Sequence, residues 1–157
     1  MDQELQARLE RLQPKAIAWV RSQSDFLARS PKGLMPPALR IATAVGVTHP
    51  ERIRVIVTKS FPSPDDMELA TAIAEFEVLT PQTVGMTFGY GIYIRSDQEL
   101  NLQLLAHECR HVKQYEEYGV EGFIVRYLSQ IAAVGYPNAE LEVDARAHEW
   151  CASAAGG

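Results

Sequence analysis

The segment Leu104-Leu-Ala-His107-Glu108-Cys109-Arg110-His111-Val112 constrains this chain more than any other stretch. Residues four apart lie on one face of an α-helix, one turn apart, so His107 and His111 can aim their imidazoles at a single point, as a tetrahedral zinc site requires. Glu108 projects beside that point, placed to take a proton from a metal-activated water. With only four histidines in 157 residues, an H-E-x-x-H pattern arises by accident with a probability of about 1%. Zinc is the favoured metal, because imidazole and carboxylate donors with one open position suit it.

The flanking sequence predicts the helix that this reading needs. Ser96-Asp-Gln-Glu99 has the form of a capping box, so the helix is expected to begin at Asp97, run to about Tyr118 and stop at Gly119. A second helical pattern covers 122–134 and ends at Gly135, and Asn138 is placed to cap a last helix over 139–152. Upstream, 84–95 reads as two short strands around a glycine-rich turn. The β-branched run 53–58 reads as a further strand, and a helix is expected from Pro64-Asp-Asp through Phe76. Apolar spacing over 3–29, interrupted by Pro14, predicts two consecutive helices, and 37–45 a short one closed by Gly46. The expected fold class is α+β, mostly helical with a small sheet, in one domain: a helical N-terminal segment over 1–45 and a core over 51–152.

Composition removes several function classes. A domain of this length buries a sizeable core without disulfide or metal staples, so a metal here points to function. The formal charge of −5, with 15 basic side chains scattered among 20 acidic ones, argues against nucleic acid, which needs clustered Lys and Arg. Cys109 and Cys151 make no disulfide framework and fit no four-cysteine zinc site. Cys109 falls on the helix face opposite the histidines and reads as a core thiol. The acidic, polar start is unlike a secretory signal, and no run approaches the ~18 apolar residues of a membrane span, so a cytoplasmic protein with no membrane partner is expected.

A catalytic zinc needs a third protein ligand. Glu140 and Asp144 are four apart on the last helix and share a face, whereas Glu142 points largely away. Glu140 is therefore the preferred ligand, with Asp144 expected to accept the spare N–H of His107 or His111 and fix its tautomer. Glu142 is the alternative, and His148 a weaker one.

This arrangement resembles the gluzincin metallopeptidases, in which H-E-x-x-H on one helix is completed by the first Glu of E-x-x-x-D on a later one. The runs Thr87-Phe-Gly-Tyr-Gly-Ile-Tyr-Ile-Arg and Leu104-Leu-Ala-His-Glu-Cys-Arg-His-Val-Lys-Gln-Tyr are similar to the short bacterial gluzincin-like domain found with extracellular contractile injection systems, over about residues 84–147. The resemblance implies a minimal zincin: metal binding by His107, His111 and Glu140, Glu108 as general base, and Asp144 behind the ligands. It also implies that Gly91, Ile92, Tyr93 and Ile94 form an edge strand above the zinc, where an extended peptide adds by main-chain hydrogen bonds. Large gluzincins carry an oxyanion-stabilising His or Tyr in a further domain; here Tyr90, Tyr93, Tyr115, Tyr127 and Tyr136 are candidates for that role.

The resulting expectation is a zinc-dependent peptidase acting on a peptide or protein. The alternative is a catalytically weak or inactive zinc-bearing module that docks a partner protein or cargo of a secretion or injection apparatus.

Overall fold

A computed structural model describes residues 2–156, and it is a mostly helical α+β fold, 66% helix with one three-stranded mixed sheet. Helix α1 (Gln3–Ala28) is one continuous element, not two. Pro14 removes a donor to the carbonyl of Glu10, but Glu10 is exposed, where water can satisfy it. The buried stripe Leu9, Leu12, Ala16 and Val20 runs through the interruption and keeps both halves docked. Helix α2 (Pro36–Ala44) follows, then strand β1 (Arg54–Thr58). Helix α3 (Met67–Glu75) starts later than the sequence suggests, because the Asp66 carboxylate accepts from the Leu69 amide at 2.9 Å and sets the cap there.

Strands β2 (Gly85–Phe88) and β3 (Gly91–Arg95) form the expected hairpin, with Gly89 at a φ of 65° in its turn. The strand order is β1-β3-β2, with β3 parallel to β1 and antiparallel to β2. Gly91, Ile92, Tyr93 and Ile94 are thus the central strand, buried throughout, and not the edge expected from the sequence. The continuous apolar run Gly-Ile-Tyr-Ile suits a strand covered on both faces. One face packs under α1, so closely that a Cβ on Gly91 would stand 2.4 Å from the Leu27 Cβ. The other face joins Ile92 and Ile94 to Ile41, Val45, Ala106, Cys109 and Val112 from α2 and the next helix.

That helix, α4 (Leu102–Val134), carries the motif. It begins at Leu102 rather than Asp97, with Asn101 as its cap, accepting from the Leu104 amide at 3.0 Å. The expected capping box is instead a short 3₁₀ turn, since Asp97 pairs with Arg95 and Glu99 with Lys32. Gly119, at φ 70° and ψ 172°, breaks α4 where the sequence placed a stop, and the second half turns back beside the first. Helix α5 (Glu140–Ala147) is capped by a side chain from outside: Gln130 accepts from the Leu141 amide at 2.9 Å, while Asn138 donates to the Val134 carbonyl. It is shorter than expected, because the chain tightens into a 3₁₀ segment, Glu149–Gly156, that packs back on α2 and α4. Among the described residues, no helix is long and apolar enough to cross a membrane.

Candidate metal centre

Helical spacing on the first half of α4 does to His107 and His111 what the sequence requires: their ring centroids lie 5.0 Å apart. Both turn Nε2 toward one carboxylate, that of Glu142. His107 Nε2 is 3.1 Å from Glu142 Oε1, and His111 Nε2 is 3.0 Å from Oε2. One donor atom from each of these three residues falls within 4.8 Å of the others.

The third carboxylate is therefore Glu142, and the preference for Glu140 is corrected. Glu140 is exposed on the first turn of α5, whereas the face of α5 turned to α4 is Leu141, Glu142 and Ala145. Glu140 and Asp144 do share a helix side, but it is not the side that meets the imidazoles. The missed signal was a lone carboxylate spaced three residues from both Ala139 and Ala145, on a stripe otherwise apolar. His148 also stays outside the cluster, with Nδ1 2.7 Å from the Asp144 carbonyl.

Each imidazole is oriented through its other nitrogen. His107 Nδ1 lies 2.9 Å from Glu149 Oε2. His111 Nδ1 lies 2.7 Å from Gln114 Oε1, and the orientation of that amide is fixed because its Nε2 donates to the Leu141 carbonyl and to Asp144 Oδ2, both at 2.9 Å. Only acceptors therefore face Nδ1 of either ring, so both Nδ1 atoms carry hydrogen and Nε2 is left to bind a metal. Asp144 does not touch either ring, contrary to expectation. It takes the Arg110 guanidinium at 2.8 and 3.3 Å and reaches His111 only through Gln114. Sequence reasoning missed Gln114 and Glu149; Gln114 does carry a readable sign, standing three residues after His111 and so on its side of the helix.

The charges are consistent with a site built for a cation. Burial alone would depress the His111 pKa, but the Glu142 carboxylate and its hydrogen bond push it up to about 9. His107 is raised for the same reasons, again against the pull of burial. The two imidazoles hold the Glu142 carboxylate well below its ordinary range although it is buried. Without a metal, Glu142 favours a proton on His111 Nε2 and biases His107 in the same direction. Two imidazole nitrogens, one carboxylate and two Nδ1–H groups facing acceptors are a donor set that fits zinc.

Glu108 stands next to this cluster, 4% exposed. Thr87 on β2 donates its hydroxyl to Oε1 at 2.8 Å, and Gly85 leaves the space the carboxylate fills, since a Cβ there would come within 3.1 Å of it. The Arg95 amide donates to the Val84 carbonyl, which makes residues 84 and 95 a hydrogen-bonded pair. By alternation the N–H and C=O groups of Gly85 and Thr87 point away from β3, toward the free edge. The edge strand beside the site is therefore β2. Its Thr87 carbonyl is already taken by the Tyr115 hydroxyl at 3.2 Å.

Two spaces meet at Glu108 and Glu142. An open cleft of about 440 Å³ runs past His107, Glu149 and Gln103, and no described residue of the 1–45 segment borders it. An apolar cavity of about 100 Å³ lies on the other side, walled by Ala16, Trp19 and Val20 of α1 and by Phe123 and Tyr127 of α4. Of the five tyrosines raised by the sequence, Tyr90 binds Glu116 and Tyr93 binds Gln23, both away from the cluster. Tyr127 donates to Glu142, and Tyr136 borders both spaces. Cys109 is fully buried in the core, and burial pushes its thiol pKa up. Comparison with protein-family models, with curated proteins and with solved structures returns no match.

Proposed function

We propose that the chain is a zinc-dependent peptidase whose metal ligands are His107, His111 and Glu142. The observation that carries the reading is the convergence of both Nε2 atoms on Glu142, with the carboxylate of Glu108 alongside at the junction of cleft and cavity. Zinc, when bound, supplies a Lewis acid for a peptide carbonyl and makes a water acidic enough to lose its proton near neutral pH.

The remaining work falls to side chains already in place. Thr87 occupies Oε1 of Glu108 by hydrogen bonding, which leaves Oε2 to accept the proton from water and later to pass it to the leaving amine. Gly85 offers an N–H and a C=O along the free edge of β2, enough to hold a short stretch of extended substrate beside the base. Glu149 and Gln114 keep both imidazoles in one tautomer throughout.

The deciding experiment is metal analysis of the purified protein followed by cleavage of a peptide library. The expected outcome is cleavage that disappears with chelator and returns with zinc, and a Glu108→Gln variant that keeps zinc while losing at least about 100-fold in rate. Undiminished cleavage by Glu108→Gln would sink the mechanism. A protein that holds zinc but cleaves nothing would favour the partner-docking alternative.

A further inference from the structure

The structure assigns to Tyr127 a positioning role: its hydroxyl reserves Oε2 of Glu142, so that the carboxylate serves a metal through Oε1 alone. This inference rests on the metal reading above and concerns a residue outside the H-E-x-x-H segment.

The geometry is specific. Tyr127 lies beyond the Gly119 break, on the half of α4 that folds back over the site, and its hydroxyl donates to Glu142 Oε2 at 2.7 Å. Its ring has little freedom. It stacks on Phe123 at 5.1 Å and 21°, which itself stacks on Tyr115 at 3.9 Å, and Tyr136 closes the far edge at 6.5 Å. His111 stands edge-on to the same wall, 6.1 Å from Phe123 and 6.5 Å from Tyr127. The aromatic ladder therefore fixes the phenol and the metal-binding imidazole relative to each other.

The two oxygens of Glu142 are thereby made unequal. Oε2 receives a short, charge-assisted hydrogen bond that draws off part of its charge. Oε1 faces only His107 Nε2, whereas Oε2 faces His111 Nε2 at 3.0 Å and the Tyr127 hydroxyl as well, so that with a metal on both nitrogens Oε2 alone keeps a hydrogen-bond donor. A carboxylate free at both oxygens can chelate and raise the coordination number of a bound ion. One anchored at Oε2 gives a single donor, which completes a three-ligand site and keeps a position open for substrate.

The test is a Tyr127→Phe variant, which deletes one oxygen and keeps the ring stack. The metal-free and cobalt(II)-loaded forms of wild type and variant are compared by thermal unfolding and visible absorption, and zinc affinity is measured by chelator competition. Wild type is expected to give the strong visible band of four-coordinate cobalt. The variant is expected to give a several-fold weaker band, from a carboxylate that now binds through both oxygens, and a zinc Kd about 10-fold higher. Identical spectra and affinity overturn the proposal, even if the variant is less stable, because lost stability alone marks a merely structural hydroxyl. A wild type that binds neither cobalt nor zinc overturns the metal reading itself, which is a distinct result.

Discussion

Loading the site with zinc should expel protons, and the number follows from the charge balance around Glu142. In the metal-free protein the His111 pKa stands at about 9, so at pH 7 only about 1% of the ring is neutral. Zinc takes Nε2 only after its proton has left, so at least one proton is released per ion bound. His107 is raised as well, so any proton it carries adds to that one. Glu142 contributes none, since its carboxylate is already ionised. The zinc Kd should therefore fall at least about 100-fold between pH 6 and pH 8, equivalent to about 2.7 kcal/mol. Isothermal titration at pH 7 in buffers of different ionisation enthalpy counts the protons, and chelator competition across the pH range gives the slope. Glu142→Gln removes the charge that holds the imidazoles protonated, so the variant should bind zinc more weakly but with far fewer protons released. A release below about half a proton, or a Kd that does not change with pH, would refute the argument.

The same interaction makes the stability of the metal-free protein depend on pH in the opposite sense. The folded His111 pKa lies above the ordinary histidine value of 6.5, so the stabilisation is complete below about pH 6.5 and is lost as pH rises through 9. One pair interaction raises His111 and lowers Glu142, so it counts once, on the order of 3 kcal/mol over that window. Metal-free protein should thus unfold more easily at pH 9 than at pH 6.5, whereas zinc should stabilise it more at the higher pH.

Removing the Glu149 carboxylate, by Glu149→Ala, should weaken zinc binding about 10- to 100-fold with little loss of fold, since that side chain is 36% exposed; unchanged zinc affinity would show that His107 needs no partner at Nδ1. Gly91→Ala should destabilise by about 3 kcal/mol, because its new methyl would meet the Leu27 Cβ at 2.4 Å and no rotamer change can move a Cβ. A midpoint in urea equal to that of wild type would mean that α1 shifts freely on the sheet.

How much of this was legible in the sequence depends on whether a feature is local. The helix through His107 and His111, the stop at Gly119, the β2–β3 hairpin and Cys109 in the core all follow from spacing or from one residue's conformational preference. The helix starts were misplaced where a nearby competitor captured the capping group. Glu99 has the right spacing from Ser96 for a capping box, but Lys32, from a distant loop, takes it at 2.9 Å. Asn138 has the right chemistry for an N-cap, but Gln130 reaches the Leu141 amide first. Neither competitor can be found without knowing which segments meet.

The third carboxylate of the cluster shows where the boundary lies. Spacing correctly put Glu140 and Asp144 on one side of α5 and Glu142 on another; the error was in deciding which side faces α4. The rotation of a short helix about its own axis is set by what it buries, and the apolar residues of α5 that decide it are Leu141 and Ala145, with Ala139 at its start. Those three flank Glu142 and exclude Glu140. A carboxylate that survives in such a stripe must be paired, because an uncompensated buried charge costs far more than the neighbouring contacts return. The two histidines of the motif call for a third ligand, and Glu142 is the acid of this helix that packing leaves without water. The motif and the burial stripe are thus two halves of one charge-balance argument, and Val143, equally apolar yet 48% exposed, shows that packing against α4 decides which apolar residues make the stripe.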